Sequence, residues 1–151
     1  MDDYANDAST TALLDLSFAD NFGAIDYAGD QDWLRMELAG GASYEIHVHG
    51  QDLGFQLAQP RIRIFDSASH LIAEGDSTDG AVLLTFTALS YGTHYLSMDS
   101  SDPAAIGTYN FHGFGDDNSG SARRAVNSQS SGALEYFTDE DGFTFKLIAG
   151  V

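Results

Sequence analysis

The chain has 151 residues, 23 Asp plus Glu against 6 Lys plus Arg, and a formal charge of −17 with histidines neutral. That length suits one domain, or one domain and part of another, and 43% hydrophobic residues are enough for a packed core, which excludes wholesale disorder. The acidity excludes a nucleic-acid-binding surface and docking on an anionic membrane, since phosphates are repelled and no Lys/Arg cluster exists to release counterions; the compatible partners are cations, above all Ca²⁺.

The absence of cysteine rules out a disulfide framework and a thiolate zinc site. No apolar run approaches the length of a transmembrane helix. The opening Met1-Asp2-Asp3-Tyr4-Ala5-Asn6-Asp7 has neither a basic n-region nor an apolar h-region. It fits a cytosolic chain, one whose signal has been removed, or an excised piece.

Ala8 to Leu16 is the one stretch with a weak helical period. From residue 33 onward, apolar residues recur with period two. Leu34, Met36 and Leu38 share a face, with Arg35 and Glu37 opposite. After Gly40-Gly41, the residues Tyr44, Ile46 and Val48 do the same. Arg61 to Phe65, Leu71 to Ala73, Ala81 to Ala88, Thr93 to Met98 and Thr108 to His112 continue the pattern, each bounded by Gly, Asp, Ser or Asn. Half-buried strands at this spacing, with polar outer faces, predict an all-β antiparallel sandwich.

A repeat runs beneath this alternation. Gly23-Ala24-Ile25-Asp26-Tyr27 returns as Gly132-Ala133-Leu134-Glu135-Tyr136, and Asp30-Gln31-Asp32 as Asp139-Glu140-Asp141. Residues 23–41 and 132–150 share 7 identities in 19 positions, and most differences preserve the alternation. Asp2-Asp3 before Asn6 is echoed by Asp116-Asp117-Asn118. The competing reading is chance similarity of two acidic, β-rich stretches. The repeat predicts a complete module over 1–114 and a partial second module over 115–151. Phe137, Phe143, Phe145 and Leu147 are too apolar to leave in water. Residues 132–150 are therefore expected to pair, within the chain or by strand exchange with another copy.

Several blocks in order carry a family resemblance. They are Asp2-Asp3-Tyr4-Ala5-Asn6-Asp7, Gly23-Ala24-Ile25-Asp26, Gly29-Asp30-Gln31-Asp32-Trp33-Leu34, Arg61-Ile62-Arg63-Ile64-Phe65-Asp66-Ser67, Leu84-Thr85-Phe86-Thr87-Ala88, Gly92-Thr93-His94-Tyr95-Leu96 and Gly107-Thr108-Tyr109. Together they resemble the bacterial pre-peptidase C-terminal domain, related to the collagen-binding domains of clostridial collagenases. The Asp-x-Asp-Trp block is the most specific. The resemblance implies a jelly-roll-like sandwich of about eight strands, non-catalytic, placed beside the catalytic domains of secreted proteases and other exoenzymes or in long surface proteins. Two departures weaken the second copy: Gly142 stands where the first has Trp33, and the rest of that copy is missing.

Oxygen ligands gathered in loops suit Ca²⁺. Asp2, Asp3, Asn6 and Asp7 can fold against the turn carrying Asp26, Asp30 and Asp32, where the carboxylates would repel one another unless a cation intervened. In the related collagen-binding domains these two segments share calcium, so the resemblance assigns that role to Asn6, Asp7, Asp30 and Asp32, and then to Asp2, Asp3 and Asp26. The alternative is a set of solvated loop carboxylates. Asp66, Asp76 and Asp79 form a second acidic set, read as solvated turns. His47 and His49 share a strand face, but no third metal ligand is evident beside them, and a hydrated face is the reading kept. Neither Gly-x-Ser-x-Gly nor His-Glu-x-x-His occurs, and although paired carboxylates abound, nothing marks out a glycosidase dyad among them. Trp33 and the tyrosines can form a sugar or peptide platform, though such residues more often pack in cores or as cross-strand pairs.

The sequence thus describes a non-catalytic, calcium-stabilised module of a secreted enzyme or surface protein, suited to a saline exterior. Its expected partners are the parent protein's other domains, a protein or polysaccharide substrate, or a second copy through 115–151. The rivals are a structural repeat of an adhesin or filament and a carbohydrate-binding module.

Overall fold

A computed structural model describes residues 3–17, 19–50, 55–77 and 79–115, together with the backbone of 122–123 and 143–144. Eight strands make the sandwich: β1 (Asn21–Ile25), β2 (Asp32–Leu38), β3 (Ser43–Gly50), β4 (Pro60–Phe65), β5 (Leu71–Asp76), β6 (Ala81–Thr87), β7 (Gly92–Ser100) and β8 (Gly107–Gly115). The alternating segments become these strands because each buries every second side chain, as the pattern of β2 shows from Asp32 to Leu38.

One sheet has the order β1-β8-β3-β6 and the other β2-β7-β4-β5. All pairings within them are antiparallel. Successive strands cross from one sheet to the other except between β4 and β5, which is the double Greek-key connectivity of a jelly roll. The expected all-β sandwich is what the chain forms. Its core is filled from one side by Ile25, Ile46, Val48, Phe86, Tyr109 and Phe111, and from the other by Leu34, Met36, Leu38, Ile62, Ile64, Leu96 and Met98, all buried.

Two segments differ from the sequence reading. β1 is a strand that periodicity did not reveal, because Gly23 interrupts its alternation. A Cβ at Gly23 would lie under 3.0 Å from the Tyr109 hydroxyl, so only glycine fits there without rearrangement. Ala8 to Leu16 forms no helix: a turn at Ala8-Ser9 leads into a stretch that runs along β2. Its backbone pairs with the free edge of β2, through Arg35 N–H to the Ala12 carbonyl at 2.7 Å and Leu14 N–H to the Arg35 carbonyl at 2.8 Å. This covers an edge that would otherwise be open to another chain, and it sinks Leu14 into the core.

Trp33 belongs to a cross-strand pair. It stacks on Phe65 with ring centroids 4.9 Å apart, reaching over β7, with Tyr95 alongside. Beyond Gly115, Ala122–Arg123 (β9) pairs in parallel with Phe143–Thr144 (β10). The expected pairing of 132–150 as a whole, and most of the second repeat, lie outside the described residues.

Candidate functional site

The N-terminal segment and the β1–β2 turn meet at one edge of the sandwich. Asp3 Oδ2 accepts the Ala24 N–H at 3.0 Å, and the Tyr4 hydroxyl donates to the Phe22 carbonyl at 3.1 Å. The Ala5 carbonyl takes the Trp33 N–H at 2.9 Å. Asn6 then clamps the turn from above, accepting the Gln31 N–H at 2.9 Å on its Oδ1 and donating from Nδ2 to the Tyr27 hydroxyl at 2.7 Å.

The turn itself is tied by Asp30. Its N–H donates to the Tyr27 carbonyl at 3.1 Å, and its Oδ2 accepts the Asp26 N–H at 2.7 Å. Gly29, at φ 84°, supplies the left-handed residue that lets the chain turn back. Asp30 is only 2% exposed, and its second oxygen, Oδ1, is buried without a hydrogen-bond partner. A buried carboxylate oxygen without a hydrogen-bond donor is costly.

Asp30 also borders a cavity of about 120 Å³, together with Gln31, Arg61, Asp99, Ser100 and Asp102. Among these, Asp99 accepts Arg61 Nε at 2.8 Å and Arg61 Nη2 at 2.6 Å, and also Arg63 Nη2 at 2.8 Å. Two guanidiniums therefore serve one carboxylate.

The seven residues singled out from the sequence divide into groups. Asp3, Asn6, Asp26 and Asp30 come together at this edge. Burial pushes the Asp3 carboxyl above the ordinary carboxylate value against the pull of the Ala24 N–H, and the charges of Asp26 and Asp30 push it further. Asp7 caps its own turn, its Oδ1 taking the Ser9 N–H at 2.8 Å. Asp32 opens β2 and so lies within a strand; its carboxylate faces the core, where it accepts the Tyr109 hydroxyl. Burial, the Asp32 charge and that hydrogen bond push the Tyr109 hydroxyl well above its usual pKa. Asp2 lies outside the described residues. Among the described residues, no three His, Asp or Glu side chains converge, as they stand, into a ready metal cluster.

The other sequence candidates are spent locally. Asp66 accepts the N–H groups of Ala68 and His70 at 2.8 and 2.9 Å, and Asp79 accepts the Ser77 hydroxyl at 2.7 Å. The Asp99–Arg61–Arg63 cluster had no sequence signal, since its partners meet only once β4 and β7 are in register.

No family model matches the sequence, and no curated protein matches it significantly. Solved structures do match in fold. The pre-peptidase C-terminal domain of a collagenase from Bacillus anthracis superposes with TM-score 0.50 at 18% identity, over 63% of this chain and 87% of that one. PliG of Aeromonas hydrophila, a periplasmic inhibitor of g-type lysozyme, gives TM-score 0.51 at 8% identity, over 64% and 84%. CorA of Methylomicrobium album BG8, a surface-associated copper-binding protein, gives 0.54 at 11%, over 68% and 96%. At these identities the likeness is one of architecture.

Proposed function

We propose that the chain is a non-catalytic, calcium-stabilised β-sandwich module of the pre-peptidase C-terminal kind, an accessory to a secreted enzyme or surface protein. It serves substrate contact, folding assistance or spacing between domains. The observation that carries this reading is Asp30: a turn carboxylate, nearly fully buried, with one oxygen unpartnered, beside an Asp3 carboxyl whose pKa is raised first by burial and then by the charges of Asp26 and Asp30. A hard divalent cation relieves both costs at once. Asp3, Asp26 and Asp30 are the side chains best placed to hold it. Asn6 and Asp7 have further acceptor capacity beyond the bonds they already make, and Asp32 supports the turn from its core position. Calcium would supply no chemistry here beyond fixing the N-terminal segment to the turn.

Calorimetric titration of the chelator-treated chain with CaCl₂ tests this. Binding heat and a raised melting temperature are expected; a flat titration with an unchanged melt overturns the reading.

A second reading, a structural repeat that assembles by strand exchange, is favoured by what the repeat keeps. Gly23 and Asp32 both meet the Tyr109 hydroxyl, and Gly132 and Asp141 stand at the equivalent places. The buried positions 25, 34, 36 and 38 are apolar in the repeat as well. Residues 132–147 thus retain what β8 requires of β1 and β2. Concentration-dependent polymerisation separates this reading from the first.

A further inference from the structure

The outer face of the β1-β8-β3-β6 sheet carries a histidine cluster that the acidic edge does not involve. His47 and His49 are two apart on β3 and so project from the same face. The ladder places His112 of β8 directly opposite His47, with His49 opposite Asn110 and hence diagonal to His112. The His47 and His112 rings stack with centroids 4.8 Å apart. A side chain diagonal to another across an antiparallel pair stands about 7–8 Å away, within reach for imidazoles. The sequence offered two histidines and no third ligand. The β3–β8 register supplies the third.

We propose that His47, His49 and His112 form a binding site for a divalent transition ion of the zinc–copper class. Two histidines on one strand and one on its neighbour provide three nitrogen donors and leave the outward position open to water, the donor set of open three-histidine zinc centres. Imidazole donors select this class over calcium and magnesium, which demand oxygen. Both stacked rings also have carboxylates beside them: Glu45 Oε1 lies 2.7 Å from His47 Nε2, and Asp20 Oδ1 lies 3.4 Å from His112 Nδ1. A carboxylate on one ring nitrogen fixes the tautomer and orients the other nitrogen towards a metal. The three rings do not converge as they stand; binding requires the exposed His49 and the partly exposed His47 to rotate towards the largely buried His112. The site is graded in exposure, from His112 at 12% of its side chain through His47 at 35% to the exposed His49. The strongly negative chain also concentrates divalent cations near its surface.

The test is titration of the untagged full chain with zinc chloride while calcium is kept saturating, so that it stands or falls apart from the calcium reading. One zinc per chain is expected. His49→Gln and His112→Gln should each weaken it by at least about tenfold. The ring resonances of His47, His49 and His112 should shift together, while those of His70 and His94 stay in place. His112 packs against the sheet, so the exposed His49→Gln variant carries the test if His112→Gln folds poorly. The proposal is overturned by absence of heat, by an affinity that His49→Gln leaves unchanged, or by a shift confined to His70.

Discussion

Asp99 and Asp30 are 5% and 2% exposed and border the same cavity, yet they meet the cost of burial in opposite ways. Asp99 is saturated by the fork of Arg61 and a further contact from Arg63. Arg61 is in turn held more firmly protonated by that hydrogen bond. Asp30 has one backbone N–H on one oxygen and no hydrogen bond on the other. The contrast teaches where this acidic molecule is complete and where it is not. One wall of the cavity carries its own cations as part of the fold. On the calcium reading, the Asp30 side is completed by a cation from solution.

The largest effect is expected from breaking the complete wall. Asp99→Ala leaves two guanidiniums beside a cavity without their shared acceptor. Removing one partner of a buried ion pair costs about 3–5 kcal/mol, and the partial exposure of both arginines, 31% and 22%, sets the expectation near about 3 kcal/mol. Urea unfolding measures it directly. A loss under about 1 kcal/mol would be that of a surface pair and would erase the distinction between the two walls.

How much of this was legible beforehand follows from the range of each interaction. Strands β2, β3, β4 and β6 announced themselves because alternation is local, and Gly40-Gly41 marked the turn between the first two. β1 did not, because its defining residue, Gly23, answers to a tyrosine 86 positions later. The acidic turn was visible as composition. That Asp32 leaves it for Tyr109, 77 residues away, depends on which face of β2 is buried. The same holds for Asp99, which is 38 and 36 residues from its arginines, and for His112, whose place opposite His47 is a matter of ladder register. A one-residue slip would reverse every such assignment. The sequence carries periodicity; it does not carry register between strands distant in the chain.

The second prediction reverses the sign of the first. Asp30→Asn keeps an oxygen for the Asp26 N–H and removes the buried charge. In chelator, this variant should match the wild type or exceed it by about 1 kcal/mol. At a calcium concentration one hundredfold above the dissociation constant, the wild type should gain about 2.7 kcal/mol, and the variant should gain little of it. Thermal melts with and without calcium read both halves. A variant destabilised in chelator as strongly as Asp99→Ala would mean that Asp30, too, is completed by the fold.

The smallest effect concerns Asp3, which ties the N-terminal segment to β1 through the Ala24 N–H. Its pKa is raised from 3.8, first by burial and then by Asp26 and Asp30. Between the unfolded value and the raised folded one, the folded chain holds a proton that the unfolded chain has lost. The unfolded state thus binds fewer protons, and this contribution to stability falls as pH rises through that window and returns on acidification. Asp3→Asn lacks the titration. In chelator the variant should be the more stable at pH 6.5, and its advantage should shrink as pH is lowered towards 4, as urea midpoints across that range will show. With calcium bound, the charged form is the favoured one, and the order should invert: the wild type leads at pH 6.5 and loses its lead on acidification. A gap between the two chains that ignores both pH and calcium would detach Asp3 from Asp30 and leave the N-terminal segment as a cover for the β2 edge alone.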